Sequence, residues 1–292
     1  MSSAALPTRS RHAVRWEHFL WVPGLVSLIL LVVPQASFIW MSLHRDTGFG
    51  SVGDELTFAN YATILTDPFY LGSIWLTLRL SAIATIAVLI VAMPTAYSFA
   101  RLGGLTASVL LGLVLTTSLV TIVIKILGLN IILGSTGIIN EALAGLGVTD
   151  RPIAMINNEI GVLIGLMHYT LPIAILMLFA VCQTIPLWLE EAAAIHGATR
   201  GAIFLRVILP IMRPGLIATA LIAFNMNVGA FTSALLLGGG RVRTMPVLIQ
   251  QEIIQGNRYA MGAALATTML VIVFVLNVAV ALSMTSRRRK AR

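Results

Sequence analysis

Residues 185–199 read IPLWLEEAAAIHGAT and lie between two long apolar runs. Pro186 is well suited to the first turn of a helix, because the N–H group that proline lacks would have no acceptor within the helix at that position. Residues 187–196 are mostly strong helix formers, and Gly197 can adopt the left-handed backbone that ends a helix. The stretch therefore predicts a short helix closed by a glycine turn.

The chain continues through residues 204–215, which read FLRVILPIMRPG, into the next apolar run. The hydroxyl of Thr199 can cap a second short helix. Pro210 is expected to end that helix, because proline lacks a backbone donor and clashes with the preceding turn. Together these features predict a compact helical elbow at about residues 185–210, with small alanine faces that allow close approach by another protein.

Composition places this elbow on a membrane protein. Only 10% of the 292 residues are charged and 58% are hydrophobic, with a mean hydropathy of +0.94, whereas a soluble domain carries roughly a quarter charged residues. The polar residues are too few to cover the surface of a soluble fold. Lipid must therefore surround much of the chain. The single cysteine, Cys182, excludes an internal disulfide and a cysteine-built metal site.

Six apolar stretches are long enough to cross a bilayer as helices, which requires about 20 residues each. They run at about residues 19–43, 71–100, 105–133, 160–182, 211–237 and 259–284. We therefore expect an all-α integral membrane fold, with one six-helix domain over residues 19–284. A cytoplasmic N-terminal segment of residues 1–18 and a basic cytoplasmic tail of residues 285–292 are expected to flank it. The connection at residues 44–70 is expected to be solvated or to face an external partner.

Positive charges predict the orientation, because Lys and Arg concentrate on the cytoplasmic side of a membrane. One face receives twelve basic residues: Arg9, Arg11, Arg15, Arg101, Arg200, Arg206, Arg213, Arg287, Arg288, Arg289, Lys290 and Arg292. The other face receives five: Arg45, Arg151, Arg241, Arg243 and Arg258. Both termini are therefore predicted to lie in the cytoplasm, at a bacterial inner membrane. The net charge of +8 is interpreted as contact with anionic lipid and not with nucleic acid.

The elbow resembles the EAA coupling motif of the permease subunits of ABC importers. The matching residues are Glu191, Ala192, Ala193, Gly197, Leu209 and Pro210. Val207 stands where the family pattern usually has isoleucine. Shorter likenesses along most of the chain point to the spermidine/putrescine-type branch. They are Pro23-Gly24, Asn60-Tyr61, Pro94-Thr95-Ala96-Tyr97, Ala100-Arg101 and Leu236-Leu237-Gly238-Gly239.

This resemblance implies a type I ABC importer permease fold and a division of labour between subunits. Two permease subunits would form the pathway, two cytoplasmic ATPases would bind the elbows, and an external solute-binding protein would deliver the solute. The spermidine-type likeness favours a second permease that is a different chain. The sequence has no Gly-x-x-x-x-Gly-Lys-Ser/Thr phosphate loop. ATP and Mg²⁺ are therefore expected on the partner ATPase, with no cofactor, no metal and no catalytic residue on this chain.

Polar groups within the spans are candidates for the solute pathway, because burying them in lipid is costly. The candidates are Lys125, Asn225, Asn227 and Thr232. Hydrogen bonding between helices is the alternative interpretation for the asparagines. Asn225 and Asn227 lie two positions apart, so they cannot face one lumen equally.

The family resemblance suggests a polyamine or a related small polar solute. The eleven acidic residues all fall outside the apolar centres of the spans, so the charge pattern itself does not support a polycation. A secondary transporter or channel driven by an ion gradient is the alternative function, although it leaves the elbow without a role. A membrane enzyme is disfavoured because the sequence has no paired-carboxylate, His-rich or Gly-x-Ser-x-Gly constellation.

Overall fold

The apolar runs fold as helices in a computed structural model of the chain. The structure describes the backbone of residues 17–48 and 50–290 and the side chains of residues 21–48 and 50–283. Most of the predicted N-terminal segment lies outside these residues. The first half of the fold comprises α1 Glu17–Ser42, β1 His44–Gly48, β2 Ser51–Leu56, α2 Ala59–Thr66, α3 Pro68–Leu102, α4 Gly104–Leu119, α5 Ile122–Leu133 and α6 Ile138–Gly145. The second half comprises α7 Glu159–Gln183, α8 Trp188–Ile195, α9 Arg200–Ile203, α10 Leu209–Val228, α11 Phe231–Leu237, α12 Met245–Gln250 and α13 Tyr259–Lys290.

Six helical stretches within the described residues are long and apolar enough to cross a membrane, which is the predicted number of spans. They are Trp21–Ser42, Pro68–Leu102, Ile122–Gly145, Glu159–Gln183, Arg200–Val228 and Tyr259–Ser283. The all-α membrane fold is therefore confirmed. The last helix also continues to Lys290, so most of the predicted basic tail extends α13.

The predicted third span is not one helix. Val120 and Thr121 have extended backbones, with ψ of 134° and 142°, and they separate α4 from α5. The residues at this break belong to a run of β-branched side chains at positions 120–124, which are less favourable in a helix than leucine. Hydropathy does not detect the break, because the residues on both sides are equally apolar.

The predicted fifth span is wrong at both ends. A continuous helix runs from Arg200 to Val228, with a π-helical segment, Phe204–Ile208, between α9 and α10. Pro210 does not end the second elbow helix but lies in the first turn of α10. The wider π turn just before it accommodates a residue that has no N–H to donate. At the other end, α10 stops before Gly229, and α11 is a separate short helix.

Part of the connection predicted to be solvated forms a hairpin of β1 and β2, which pair antiparallel. The Asp46 carboxylate accepts hydrogen bonds from the N–H groups of Ala260 and Met261, at 2.9 and 3.0 Å. N–H groups in the first turn of a helix have no acceptor within that helix. The hairpin therefore caps the start of α13, an arrangement that its irregular, mostly polar sequence does not predict.

Helices α3 and α7 form the most extensive pair in the bundle. Their buried side chains, including Val88 and Leu178, share a core with Ile203 and Met212 from the elbow region. In contrast, α1 packs mainly on α13 and exposes its apolar side chains, as a lipid-facing helix does. The 35 residues of α3 rise about 52 Å. Helix α3 therefore connects the two ends of the molecule. We call the end that carries β1 and β2 the hairpin end, and the end that carries α8 and α9 the elbow end.

Candidate coupling site and pathway residues

Helix α8 exposes one continuous face at the elbow end. Trp188 and Ile195 are 61% and 84% exposed, and Glu191 and Ala192 are exposed between them. These positions are spaced three, four and seven residues apart, so they lie on the same side of the helix. Exposed aromatic and aliphatic side chains in such a row are typical of a surface that binds another protein.

The opposite face of α8 packs against the membrane helices. Leu189 and Ala193 contact the core that contains Val88 and Leu178. Ala193 is half-buried, whereas its motif neighbours Glu191 and Ala192 are exposed. The three motif residues therefore divide between the two faces of one helix.

Glu190 on the inward side is held by two residues of α3. Its Oε1 accepts from Arg101 Nε at 2.6 Å and lies 2.5 Å from Arg101 Nη2. Its Oε2 accepts from the Tyr97 hydroxyl at 2.6 Å. Arg101 Nη2 also donates to the carbonyl of Ile185 at 3.3 Å. Both carboxylate oxygens are thus satisfied by charge-assisted or hydroxyl hydrogen bonds.

Aromatic contacts extend this network to the start of the fifth span. The Arg101 guanidinium lies 5.6 Å from the centroid of the Tyr97 ring, within the range of a cation–π interaction. The Tyr97 ring lies 5.2 Å from the ring of Phe204 in the π segment. One cluster therefore connects α3, α8 and the helix that leads into α10.

Gly197 ends α8 as the sequence predicts. Its φ is +82°, a left-handed value that glycine adopts without steric cost. The N–H of Gly197 donates to Ala194 O at 2.9 Å and that of Ala198 donates to Ala193 O at 3.1 Å, which is the Schellman pattern. The Thr199 hydroxyl then accepts from Ala202 N at 3.4 Å and caps α9. The glycine of the motif is explained by this turn.

Leu209 and Pro210, the last two motif residues, lie away from the exposed face of α8. Both are half-buried at the start of α10, next to Ile208, which is fully buried in the core. They anchor the base of the elbow in the bundle. An open cavity of about 690 Å³ lies beside the contact between the elbow and the end of α3, and its lining includes Arg101, Glu190, Glu191 and Arg200.

Two of the predicted pathway residues have partners on other helices. Asn225 and Asn277 of α13 exchange hydrogen bonds between their amides at 3.2 and 3.0 Å. Asn227 is buried and its amide donates to the Thr85 hydroxyl of α3 at 3.1 Å. These contacts are the helix–helix bonds that the sequence left open as the alternative. The Asn227 Oδ1 is buried without a hydrogen-bond partner among the described residues, and a role of either asparagine in the pathway stays a prediction.

The other two pathway candidates, Lys125 and Thr232, lie on different helices from the two asparagines. Lys125 is half-buried on α5 and has no ion-pair partner among the described side chains. Thr232 is half-buried on α11, after the break at Gly229, and so does not belong to the fifth span. A role of either residue in the pathway stays a prediction.

Sequence reasoning missed the network around Glu190. By sequence alone, Glu190 has no assigned partner, and Tyr97 belongs only to a short family likeness. The signal that points to the network is the phase of the helix, since Glu190 falls on the same face as Leu189 and Ala193. A carboxylate on a packed face requires a partner.

The chain is similar in sequence to polyamine permeases. No family model matches it. It is 34% identical over 258 residues to the spermidine/putrescine transport system permease protein PotB of Haemophilus influenzae, covering 88% of each chain. It is 31% identical over 252 residues to PotB of Escherichia coli K12, covering 86% of this chain and 90% of that one.

The fold is that of ABC importer membrane subunits. A crystal structure of a bacterial ABC transporter that imports the acidic polysaccharide alginate matches with a TM-score of 0.77 at 18% identity, covering 94% of this chain and 96% of the other. The relatives are permease subunits of ABC importers, a class of transporter in which separate ATPase subunits hydrolyse ATP. The chain belongs to the family of ABC importer permease subunits that includes the spermidine/putrescine permease PotB.

Proposed function

We propose that the exposed face of α8 is the docking site of a cytoplasmic ABC ATPase. The observation that carries this proposal is the row of Trp188, Glu191, Ala192 and Ile195, which combines apolar area with one acidic group on a rigid helix. Exposing this much apolar surface in water is unfavourable unless a partner covers it. The Schellman turn at Gly197 fixes the angle at which the helix is presented.

The same proposal fixes the orientation. The elbow end lies in the cytoplasm, together with both termini, and the hairpin end faces the periplasm, where a solute-binding protein delivers its cargo. The bias of Arg and Lys toward the elbow side supports this arrangement. Two ATPase subunits, which carry ATP and Mg²⁺, and a second permease, a different chain, complete the importer at the bacterial inner membrane.

We infer that the transported solute is a polyamine or a related small polar solute. The inference is supported by two relatives above 30% identity that are named as spermidine/putrescine permeases. To test it, uptake of labelled putrescine and of labelled aminoethylphosphonate is measured in cells that lack this transport system and in the same cells after complementation. Complementation should restore putrescine uptake alone. Restoration of aminoethylphosphonate uptake alone would overturn the polyamine assignment.

The docking proposal is tested by copurification from solubilised membranes with a tag on this chain. Glu191→Ala removes the one charged group of the docking face, so retention of the ATPase should fall at least about tenfold, as for a central interface residue. The control is Glu141→Ala, because Glu141 is an exposed acid on α6 at the opposite end. Equal ATPase retention by the two variants would contradict the docking site.

A further inference from the structure

The inward face of α8 packs against the membrane helices, so movement of a docked α8 reaches the membrane through this face. Most contacts on this face are apolar, and apolar side chains such as Leu189 and Ala193 can slide against a core without a defined direction. Hydrogen bonds are directional. Among the described residues of α8, only Glu190 has a side chain that forms a hydrogen bond or ion pair with another helix.

The two residues that hold Glu190 are one helical turn apart on α3. Tyr97 and Arg101 are at positions i and i+4, so their side chains project from the same side of that helix. Each one binds a different oxygen of the carboxylate. Both oxygens of the Glu190 carboxylate are thus held, so the carboxylate cannot rotate without breaking one of these hydrogen bonds.

We infer that the network of Glu190, Arg101 and Tyr97 is the joint that carries movement of α8 into α3. This inference rests on the proposed docking function. It assigns opposite roles to two adjacent acids. Glu191 faces the ATPase, whereas Glu190 is a positioning residue that fastens the helix to the second span.

The burial of the network supports a mechanical role. The side chains of Arg101 and Glu190 are only 20% and 13% exposed, so water competes poorly for their hydrogen bonds. Arg101 also donates to Ile185 O in the link between α7 and α8. A displacement of α8 therefore also displaces the ends of α3 and α7. These two helices form the central pair of the bundle.

The test uses the whole importer in proteoliposomes, with labelled putrescine as the solute and both uptake and ATP hydrolysis measured. Glu190→Ala should leave the ATPase bound and hydrolysing ATP, because the exposed face of α8 is unchanged. The solute taken up per ATP should fall at least about tenfold, the factor expected when charge-assisted hydrogen bonds are lost from a two-state equilibrium. Tyr97→Phe removes one hydrogen bond and should give a smaller fall in the same ratio.

Two further variants distinguish a joint from general structural damage. The exchange Glu190→Arg with Arg101→Glu restores the pair with the charges reversed, so uptake per ATP should recover relative to either single change. If the single variants do not assemble, the exchange and Tyr97→Phe still test the joint. Normal uptake per ATP in Glu190→Ala and Tyr97→Phe would overturn the inference, as would an exchange variant no better than its single changes. Failure of the ATPase to bind the unaltered chain would instead refute the proposed function.

Discussion

Two arginine–glutamate pairs on α3 lie at opposite ends of the bundle and differ in their surroundings. Arg101 pairs with Glu190 at the elbow end, and Arg79 pairs with Glu159, the first residue of α7, on the side toward the hairpin end. Twenty-two residues separate the two arginines, a rise of about 33 Å. That length is close to the roughly 30 Å of a hydrocarbon core, so each pair is expected at one border of the membrane.

The pair toward the hairpin end is the more exposed and the less completely bonded. Its side chains are 40% and 48% exposed, against 20% and 13% at the elbow end. Arg79 Nε is buried without an acceptor, whereas Arg101 Nε donates to Glu190 and both oxygens of that carboxylate are occupied. The difference indicates that the elbow-end pair is a fixed joint and that the other pair can open at little cost.

The comparison is tested most strongly by removing one acid from each pair. Glu190→Ala leaves Arg101 without its carboxylate in a mostly buried site, so the free energy of unfolding should fall by about 2–3 kcal/mol. Glu159→Ala removes an exposed partner and should cost about 0–1 kcal/mol. Unfolding of the purified permease in detergent, followed by tryptophan fluorescence, measures both changes. Equal losses would mean that burial does not distinguish the two pairs.

A smaller effect is expected at the turn that presents α8. Gly197→Ala places a side chain at a φ of +82°, which should lower the free energy of unfolding by about 1 kcal/mol. Gly201→Ala is the matched control, because Gly201 lies in α9 with open space around it and no left-handed backbone. In the same unfolding assay this control should be neutral or slightly stabilising. A Gly197→Ala variant as stable as the control would refute the assigned turn.

The smallest effect is expected for an uncharged pair between the spans, Asn225 and Asn277. Hydrogen bonds between membrane helices contribute about 0.6 kcal/mol on average. A double-mutant cycle of Asn225→Ala and Asn277→Ala should therefore give a coupling energy of about that size, well below the Arg101–Glu190 coupling. A normal transport rate in both variants is expected if the amides only pack the helices. Loss of transport with full stability would instead place them in the pathway.

What the sequence predicts and what it misses follow from the range of the interactions involved. The number of spans, the end of α8 at Gly197 and the cap at Thr199 depend on neighbouring residues, and each is predicted correctly, whereas the bounds of the third and fifth spans are not. The breaks at Val120 and Gly229 lie inside the predicted apolar stretches 105–133 and 211–237, so average hydropathy misses both. The partners of Glu190 are 89 and 93 residues away in the chain, and only the folded bundle brings them within hydrogen-bonding distance.

The position of Pro210 is instructive for a different reason. Proline alone predicts the end of a helix, and the prediction fails because a π segment precedes it. The backbone adjusts over five residues to keep one long helix from the elbow into the membrane. This continuity gives the elbow a second rigid connection, through α10, besides the joint with α3.

If an ATPase covers the exposed face of α8, that face lies in the cytoplasm and becomes inaccessible when the ATPase binds. The most direct measurement is labelling of Ile195→Cys by a membrane-impermeant maleimide, with and without the ATPase, in vesicles of known sidedness. The native Cys182 is fully buried and should stay unlabelled, and Leu146→Cys, exposed after α6, serves as the opposite-side control. We expect Ile195→Cys to be labelled from the cytoplasmic side only and to be protected when the ATPase is bound. Labelling from the periplasmic side, or labelling that the ATPase leaves unchanged, would refute the docking proposal.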